Sequence, residues 1–142
     1  MQSGAPFGPW QHERVRTTAQ MTPVIEKILS LMQAAGFPER DLFGMRLSLE
    51  EAIVNGIVHG NAKDPDKSVH VRYQLQPDQV IVEVEDEDEG PGFKPEQVPD
   101  PLAPENLERP SGRGVFLIRH YMTWVKFNDR GNRLTLGKSK SA

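Results

Sequence analysis

Two runs of alternating apolar residues, separated by a short turn, constrain the fold of this chain more than any other feature. The first run covers residues 69–75 and the second covers residues 80–84, on either side of the turn at 76–79. Because successive side chains of a strand point to opposite faces, each run predicts a strand with one buried face. The short turn predicts that the two strands form an antiparallel hairpin. The apolar positions are Val69, Val71, Tyr73, Leu75, Val80, Val82 and Val84.

Apolar residues at helical spacing predict three helices elsewhere in the chain. The first covers residues 21–35, with Thr22 as its cap and Pro23 in its first turn. The second runs from residue 38 to about residue 59, where a glycine and an asparagine end it. The third covers residues 114–122.

Further strands complete the predicted order of elements. An edge strand is expected over residues 11–16, and a second hairpin is expected from strands at 124–127 and 133–136. Helices with one apolar stripe cover one face of a sheet. The predicted fold is therefore a two-layer α/β (α+β) sandwich, in which three helices cover one face of a mixed, mostly antiparallel sheet.

The chain is expected to form one domain with a lid segment. Residues 11–137 form the predicted domain, between a flexible tail at 1–10 and a polar tail at 138–142. Residues 94–111 contain five prolines and no periodicity. A segment of this length inside a compact domain is typical of a lid over a binding site.

Composition excludes several classes of protein. Of the 142 residues, 37% are hydrophobic, which is enough for one modest core. The absence of cysteine excludes disulfides and thiolate metal sites, and no run of 18 apolar residues predicts a transmembrane helix. The net charge of −3 argues against nucleic acid as the main partner. These features predict a cytoplasmic protein that binds neither nucleic acid nor membrane directly.

The first candidate site lies on the second predicted helix. Glu51, Asn55 and His59 are spaced by four residues, so they form one polar stripe on that helix. The Asn55 carbonyl oxygen suits Mg²⁺, which completes its coordination with phosphates and water. Glu51, one turn earlier, can orient or deprotonate a hydroxyl nucleophile. A solvent-facing polar stripe on an amphipathic helix has the same pattern, so the stripe alone does not assign chemistry.

The second candidate site follows the strand at residues 80–84. The motif Asp88-x-Gly90-x-Gly92 combines a hydrogen-bond acceptor with two glycines that let the backbone approach a ligand. An adenine amino group is the natural donor to Asp88. An acidic turn at the end of a hairpin is the simpler interpretation, and the spacing that a calcium loop requires is absent.

The third candidate site opens the third predicted helix. Backbone amides at a helix N-terminus favour phosphate. Gly112 and Gly114 permit close approach of a ligand, and Arg113 adds positive charge. A junction between loop and helix that needs glycine for its geometry has the same sequence.

The order of the three motifs resembles the N, G1 and G2 boxes of the GHKL ATPases, which have the Bergerat ATP-binding fold. Residues 41 to 125 resemble the histidine-kinase-like ATPase domain (HATPase_c) of anti-sigma factor serine/threonine kinases of the RsbW and SpoIIAB type. The pattern EAxxNxxxHG at residues 51–60 is similar to their N box, and GxGxxLI at residues 112–118 is similar to the beginning of their last helix.

The resemblance implies roles for the residues of the second helix. Glu51 is the expected catalytic base of phosphoryl transfer, and Asn55 is the expected magnesium ligand. Two positions depart from the family pattern, because Gly56 replaces a common alanine and Thr123 replaces a common acidic residue. Glycine within a helix costs up to ~1 kcal/mol of stability relative to alanine.

The resemblance also implies how a nucleotide is held. Asp88 is expected to recognise adenine, while Gly90 and Gly92 shape the floor of the pocket. Residues 112–114 are expected to contact the phosphates, and the lid at 94–111 is expected to close over the nucleotide.

The implied activity is ATP- and Mg²⁺-dependent phosphorylation of a serine or threonine on an anti-sigma factor antagonist of the STAS type. The resemblance further implies a sigma factor as a second partner, regulation of transcription by partner switching, and a homodimer. One alternative is a non-catalytic ATP- or ADP-binding module that sequesters a protein partner, although the retained Glu51 disfavours it. A detached histidine-kinase catalytic domain is another, and the lack of a preceding helix with a phosphorylatable histidine disfavours it.

Overall fold

The computed structural model describes residues 8–87 and 110–141, with the backbone alone for residues 110–113. In chain order the described elements are β1 (Gln11–Val15), α1 (Thr18–Ala34), α2 (Glu39–Asn55), a π-helical turn (Gly56–Gly60), β2 (Val69–Leu75), β3 (Gln79–Glu85), α3 (Pro110–Tyr121), β4 (Trp124–Phe127) and β5 (Arg133–Ser139). Most of the predicted N-terminal tail, and the predicted lid up to residue 109, lie outside the described residues. Within the described ranges, no helix combines the length and the apolar character needed to cross a membrane.

The five strands form one open sheet in the order β1-β2-β3-β5-β4. Both predicted hairpins are confirmed, since β2 pairs with β3 and β4 pairs with β5. The two-layer α/β fold is also confirmed. We expected a mixed sheet, but every pairing among the described strands is antiparallel.

The core lies between one face of the sheet and the helices, as the alternating pattern predicts. In β2, Val69, Val71 and Tyr73 are buried, whereas His70 and Arg72 on the opposite face are partly exposed. Each large apolar side chain that is fully buried contributes roughly 1.5–3 kcal/mol to folding. The largest buried side chains of α1 and α2 are Ile25, Ile28, Met32, Met45, Leu49 and Ile53.

The first helix begins before the predicted cap, so that prediction was wrong. Thr17 is the cap residue, and its Oγ1 accepts a hydrogen bond from Gln20 N over 3.4 Å. Gln20 Oε1 in turn accepts from Arg16 N over 2.8 Å, which makes the cap nearly reciprocal. Pro23 therefore lies inside α1, where its ring removes one helical hydrogen bond.

The second predicted helix divides into two parts. α2 ends at Asn55, and the chain continues as a π-helical turn in which Asn61 N donates to Gly56 O over 2.8 Å. This bond spans five residues instead of four, so the turn is wider than an α-helical turn. A Cβ atom on Gly56 would lie 2.8 Å from Val69 Cγ2. The glycine that departs from the family pattern thus lets the π-helical turn pack directly against β2.

The third helix begins four residues earlier than predicted. α3 starts at Pro110, so residues 112–114 lie within its first turns instead of at the junction before the helix. Proline suits the first helical position because an N–H group there has no partner within the helix.

The last strand continues into the segment that we predicted to be a polar tail. Lys138 and Ser139 of β5 are in register with Val80 and Gln79 of β3. Beyond the strand, Ser141 N and Oγ donate to the carboxylate of the buried Asp41 over 2.8 and 2.6 Å. Ser141 is therefore hydrogen-bonded to the first turn of α2.

Candidate functional site

Glu51 and Asn55 lie one turn apart at the C-terminal end of α2. Both side chains are partly buried, on the side of α2 that packs against α3. The helix places them on one face because residues four apart lie above one another on a helix surface. This part of the predicted stripe is present in the structure.

Gly114 of α3 lies directly against these two side chains. A Cβ atom at Gly114 would lie 2.8 Å from Glu51 Oε2 and 3.1 Å from Asn55 Nδ2. Glycine therefore leaves room for the observed positions of both side-chain ends where the two helices meet. The first and third candidate motifs lie far apart in the sequence but form one site through Glu51, Asn55 and Gly114.

The site contains the N-terminal turn of α3. Residues 111–113 form the backbone of this turn, next to the buried Gly114. N–H groups in the first turn have no acceptors within the helix, and the helix dipole adds partial positive charge at this end. The arrangement places the beginning of α3 beside the amide of Asn55 and the carboxylate of Glu51, which is suitable for binding an anion together with a cation. The side chain of Arg113 lies outside the described residues.

His59 does not continue the predicted stripe. It is exposed on the π-helical turn, whose wider spacing rotates it away from the line that Glu51 and Asn55 define. The spacing of four residues predicts a common face only if the helix stays α-helical. We therefore correct the prediction of a three-residue stripe to a pair.

The end of β3 is the part of the second motif that the structure describes. Asp88, Gly90 and Gly92 lie outside the described residues, so their predicted contacts stay predictions. The preceding residue, Glu87, donates its backbone N–H to Asn61 Oδ1 over 2.8 Å. A Cβ atom on Gly60 would overlap the carboxylate of Asp86, which shows how closely the π-helical turn approaches this strand end.

Two asparagines that the sequence did not single out hold the end of β3. Asn61 is 2% exposed and Asn132 is 8% exposed. Asn132 O accepts from Asp86 N over 3.0 Å, and Asn132 Nδ2 donates to Asp86 O over 3.2 Å. Asparagine after a glycine is common where helices end, so the sequence pattern indicated only a helix end at Asn61.

A chain of hydrogen bonds crosses the outer face of the sheet near the same strand end. His12 Nε2 lies 2.9 Å from His70 Nδ1, and His70 Nε2 lies 2.5 Å from Glu87 Oε2. The hydrogen bond from His70 lowers the pKa of Glu87. Desolvation, followed by repulsion from Arg72, lowers the pKa of His12. Neither histidine had been assigned a chemical role from the sequence, because their contact depends on the pairing of β1 with β2.

No three His, Asp or Glu side chains in residues 8–87 and 110–141 cluster closely enough to hold a metal ion by themselves. A magnesium ion that takes one protein oxygen and completes its shell with phosphates and water does not require such a cluster. Among the predicted site residues, Asn55 has the oxygen ligand suited to this form of binding.

The fold agrees with that of an α/β ATPase domain, and so does sequence comparison. Residues 15–138 match the family model described as "Histidine kinase-like ATPase domain". The chain belongs to this family. Membership of an ATPase family implies that the chain binds ATP.

The chain is also similar to a curated protein. It is 33% identical over 89 residues to the "Anti-sigma F factor" of Oceanobacillus iheyensis. The aligned part covers 61% of this chain and 59% of that protein. The two similarities confirm the predicted resemblance to GHKL proteins of the RsbW and SpoIIAB type. Because the match covers about three-fifths of the relative, its activity, substrates and partners are proposals for this chain.

Proposed function

We propose that this chain is an ATP-dependent serine/threonine protein kinase of the anti-sigma factor type. The observation that carries the proposal is the meeting of Glu51 and Asn55 with Gly114 at the beginning of α3. A carboxylate, an amide oxygen and a glycine-lined helix N-terminus supply the positioning and charge neutralisation on which phosphoryl transfer depends. The similarity to an anti-sigma F factor supports the same activity.

The residues of the site fit a complex of magnesium and ATP. Asn55 offers the oxygen ligand for Mg²⁺, and the ion would neutralise negative charge on the phosphates when bound. Glu51 orients the acceptor hydroxyl and takes up its proton. The backbone amide at Gly112, together with Arg113, balances phosphate charge at the N-terminus of α3, and Gly114 leaves room for the ligand.

The remaining contacts to the nucleotide follow from the family resemblance. Asp88 accepts a hydrogen bond from adenine, and Gly90 and Gly92 line the pocket below the base. The segment at 94–111 covers the bound nucleotide. We propose these roles from the resemblance alone, because residues 88–109 lie outside the described part of the chain. Only residues 110 and 111 of the covering segment are described, as the beginning of α3.

The proposed substrate is a serine or threonine of an anti-sigma factor antagonist of the STAS type. We further propose that the chain binds a sigma factor in the cytoplasm, acts as a homodimer, and exchanges partners when the antagonist is phosphorylated. The printed name of the relative, an anti-sigma F factor, supports a partner of this kind.

Two measurements, made one after the other, test this function. Calorimetric titration of ATP into the full chain, first with Mg²⁺ and then with excess chelator, is expected to give binding that the chelator abolishes. Phosphotransfer is then measured with a STAS-type antagonist that carries the acceptor serine, with its Ser→Ala variant as the control. Absence of ATP binding in the presence of Mg²⁺ would contradict the proposal. ATP binding without transfer to any serine would instead indicate the non-catalytic module.

A further inference from the structure

The side chain of Asn61 joins β2 to the end of β3. In the register of these strands His70 faces Glu85, so Ser68 faces Glu87 two residues beyond. Glu87 N donates to Asn61 Oδ1 over 2.8 Å, and Asn61 Nδ2 donates to Ser68 O over 2.9 Å. The carboxamide therefore connects the two backbones just beyond the last paired residues of β2 and β3. We call this pair of bonds the amide bridge.

The amide bridge meets a second restraint from the other side of β3. Asp86 N donates to Asn132 O, and Asn132 Nδ2 donates to Asp86 O, over 3.0 and 3.2 Å. The backbone of Asp86 and Glu87 is therefore held by both neighbours after the strand itself has ended at Glu85. A peptide unit held on both sides fixes the direction in which the chain leaves the sheet.

Burial makes the amide bridge sensitive to substitution. Asn61 is 2% exposed, and its carboxamide is engaged both as a donor and as an acceptor. Removing the side chain leaves the carbonyl oxygen of Ser68, a residue that is 2% exposed, without this partner, and an unsatisfied buried group is costly.

The backbone that follows Asn61 is strained. Ala62 and Lys63 have φ values of 52° and 59°, in the left-handed region that side chains other than glycine disfavour. Strain of this kind persists only where the surrounding structure holds it, and it is concentrated at functional sites. Two strained residues immediately after the bridging asparagine indicate that the position of Asn61 is maintained against a local cost.

We propose that Asn61 is a positioning residue that fixes the backbone of Glu87, and with it the start of the proposed base-binding motif, relative to the phosphate-binding pair of Asn55 and Gly114. This inference rests on the proposed function, in which Asp88 recognises adenine. Asn61 is suited to the role because it lies six residues after Asn55 in the sequence. Its backbone N–H also donates to Gly56 O, which joins it to the π-helical turn. Asp88 is covalently attached to Glu87, so a shift of Glu87 is transmitted to it within one peptide unit. Asn61 therefore links the base-binding part of the site to the metal-binding part.

The test compares ATP with inorganic tripolyphosphate, both with Mg²⁺, by calorimetry on the full chain. Asn61→Ala is expected to weaken ATP binding by about tenfold, equivalent to ~1.4 kcal/mol. Binding of tripolyphosphate, which has no base, is expected to change by less than about threefold, because the backbone at α3 is untouched. Asn61→Asp keeps an acceptor for Glu87 N but puts an oxygen in place of the donor to Ser68 O, so it is expected to weaken ATP binding as Asn61→Ala does.

Asp41→Ala is the matched control. Asp41 is 1% exposed, and its carboxylate accepts hydrogen bonds from the backbone and side chain of Ser141. Like Asn61, it is therefore a buried polar side chain that connects two segments of the chain. It lies about 20 Å from Asn55 along α2, at 1.5 Å per residue. Its removal is expected to lower the melting temperature without changing the preference for ATP over tripolyphosphate.

A second measurement needs no variant. Hydrogen exchange of the wild-type chain is expected to show a protected Glu87 amide, although this residue lies beyond the end of β3. Free exchange of that amide would overturn the amide bridge. If the wild type binds both ligands and Asn61→Ala weakens neither, or both equally, the positioning role is wrong while the proposed function stands. If the wild type binds neither ligand, the proposed function fails and this inference fails with it.

Discussion

Gly114 of α3 packs against the carboxylate of Glu51, so closely that a Cβ atom at position 114 would lie 2.8 Å from Glu51 Oε2. The same added atom would lie 3.1 Å from Asn55 Nδ2. A methyl group at position 114 would therefore displace the end of at least one proposed functional side chain of α2.

Gly114→Ala is expected to reduce phosphotransfer by about 100-fold, because a displacement of about 1 Å at a catalytic group has an effect of this size. Thermal stability is expected to fall much less than activity, since alanine is favoured over glycine in a helix by up to ~1 kcal/mol. Initial rates of transfer and thermal unfolding, measured on the same preparation, separate the two effects. Gly8→Ala is the control, because nothing lies within 4 Å of an added Cβ there. Wild-type rates in Gly114→Ala would show that the close approach is not needed.

Substitution of Asn55 is expected to impair nucleotide binding, whereas substitution of Glu51 is expected to impair phosphotransfer. Asn55→Ala should abolish magnesium-dependent nucleotide binding, because it removes the proposed metal ligand. Glu51→Ala should retain binding but lose transfer by about 10²–10⁴-fold, the usual contribution of a general base. Calorimetry gives the first result and a phosphotransfer assay gives the second. Full transfer activity in Glu51→Ala would refute the assignment of the base.

Gly56→Ala is expected to destabilise the protein even though alanine is the better helix former. The added Cβ would lie 2.8 Å from Val69 Cγ2, and overpacking of this kind costs typically ~1–3 kcal/mol. Chemical denaturation gives the change in the free energy of unfolding. Combining Gly56→Ala with Val69→Ala should recover part of the loss, which a double-mutant cycle measures as a coupling energy. Strict additivity of the two substitutions would contradict a steric cause.

Acidification is expected to destabilise the fold through His12. His12 is exposed, but partial desolvation, then repulsion from Arg72, lowers its pKa, so the unfolded chain binds a proton more readily than the folded chain. The contribution of His12 is therefore present above the ordinary histidine pKa and is lost as pH falls, between about pH 7 and pH 5.

The measurement is the free energy of unfolding across this range for the wild type and for His12→Asn, whose profile should be flatter. His59→Asn, at an exposed position on the π-helical turn, is the control for loss of an imidazole. Glu87 acts in a lower range, because the hydrogen bond from His70 lowers its pKa and this stabilisation is lost as the carboxylate becomes protonated. Identical pH profiles for wild type and His12→Asn would contradict the expected role of His12.

The alternating pattern at residues 69–84 was sufficient to predict the hairpin and its buried face. Strand alternation is a local property, and Val69, Val71 and Tyr73 are buried as expected. Helix boundaries were less accurate, because several residues near each end can serve as a cap. Thr17 competes with Thr22 for this role, and only the bond from Gln20 N to Thr17 Oγ1 identifies the cap that is used.

The sequence by itself determined the fold class, the family and the pairing of Glu51 with Asn55, because these depend on periodicity and on residues close together in the chain. Only the tertiary structure placed Gly114 against that pair and Asn61 between Ser68 and Glu87. It also decided that His59 leaves the stripe, because the helix widens where Gly56 packs on Val69. These relationships depend on how separate elements pack, and a local pattern carries no information about the distance between them.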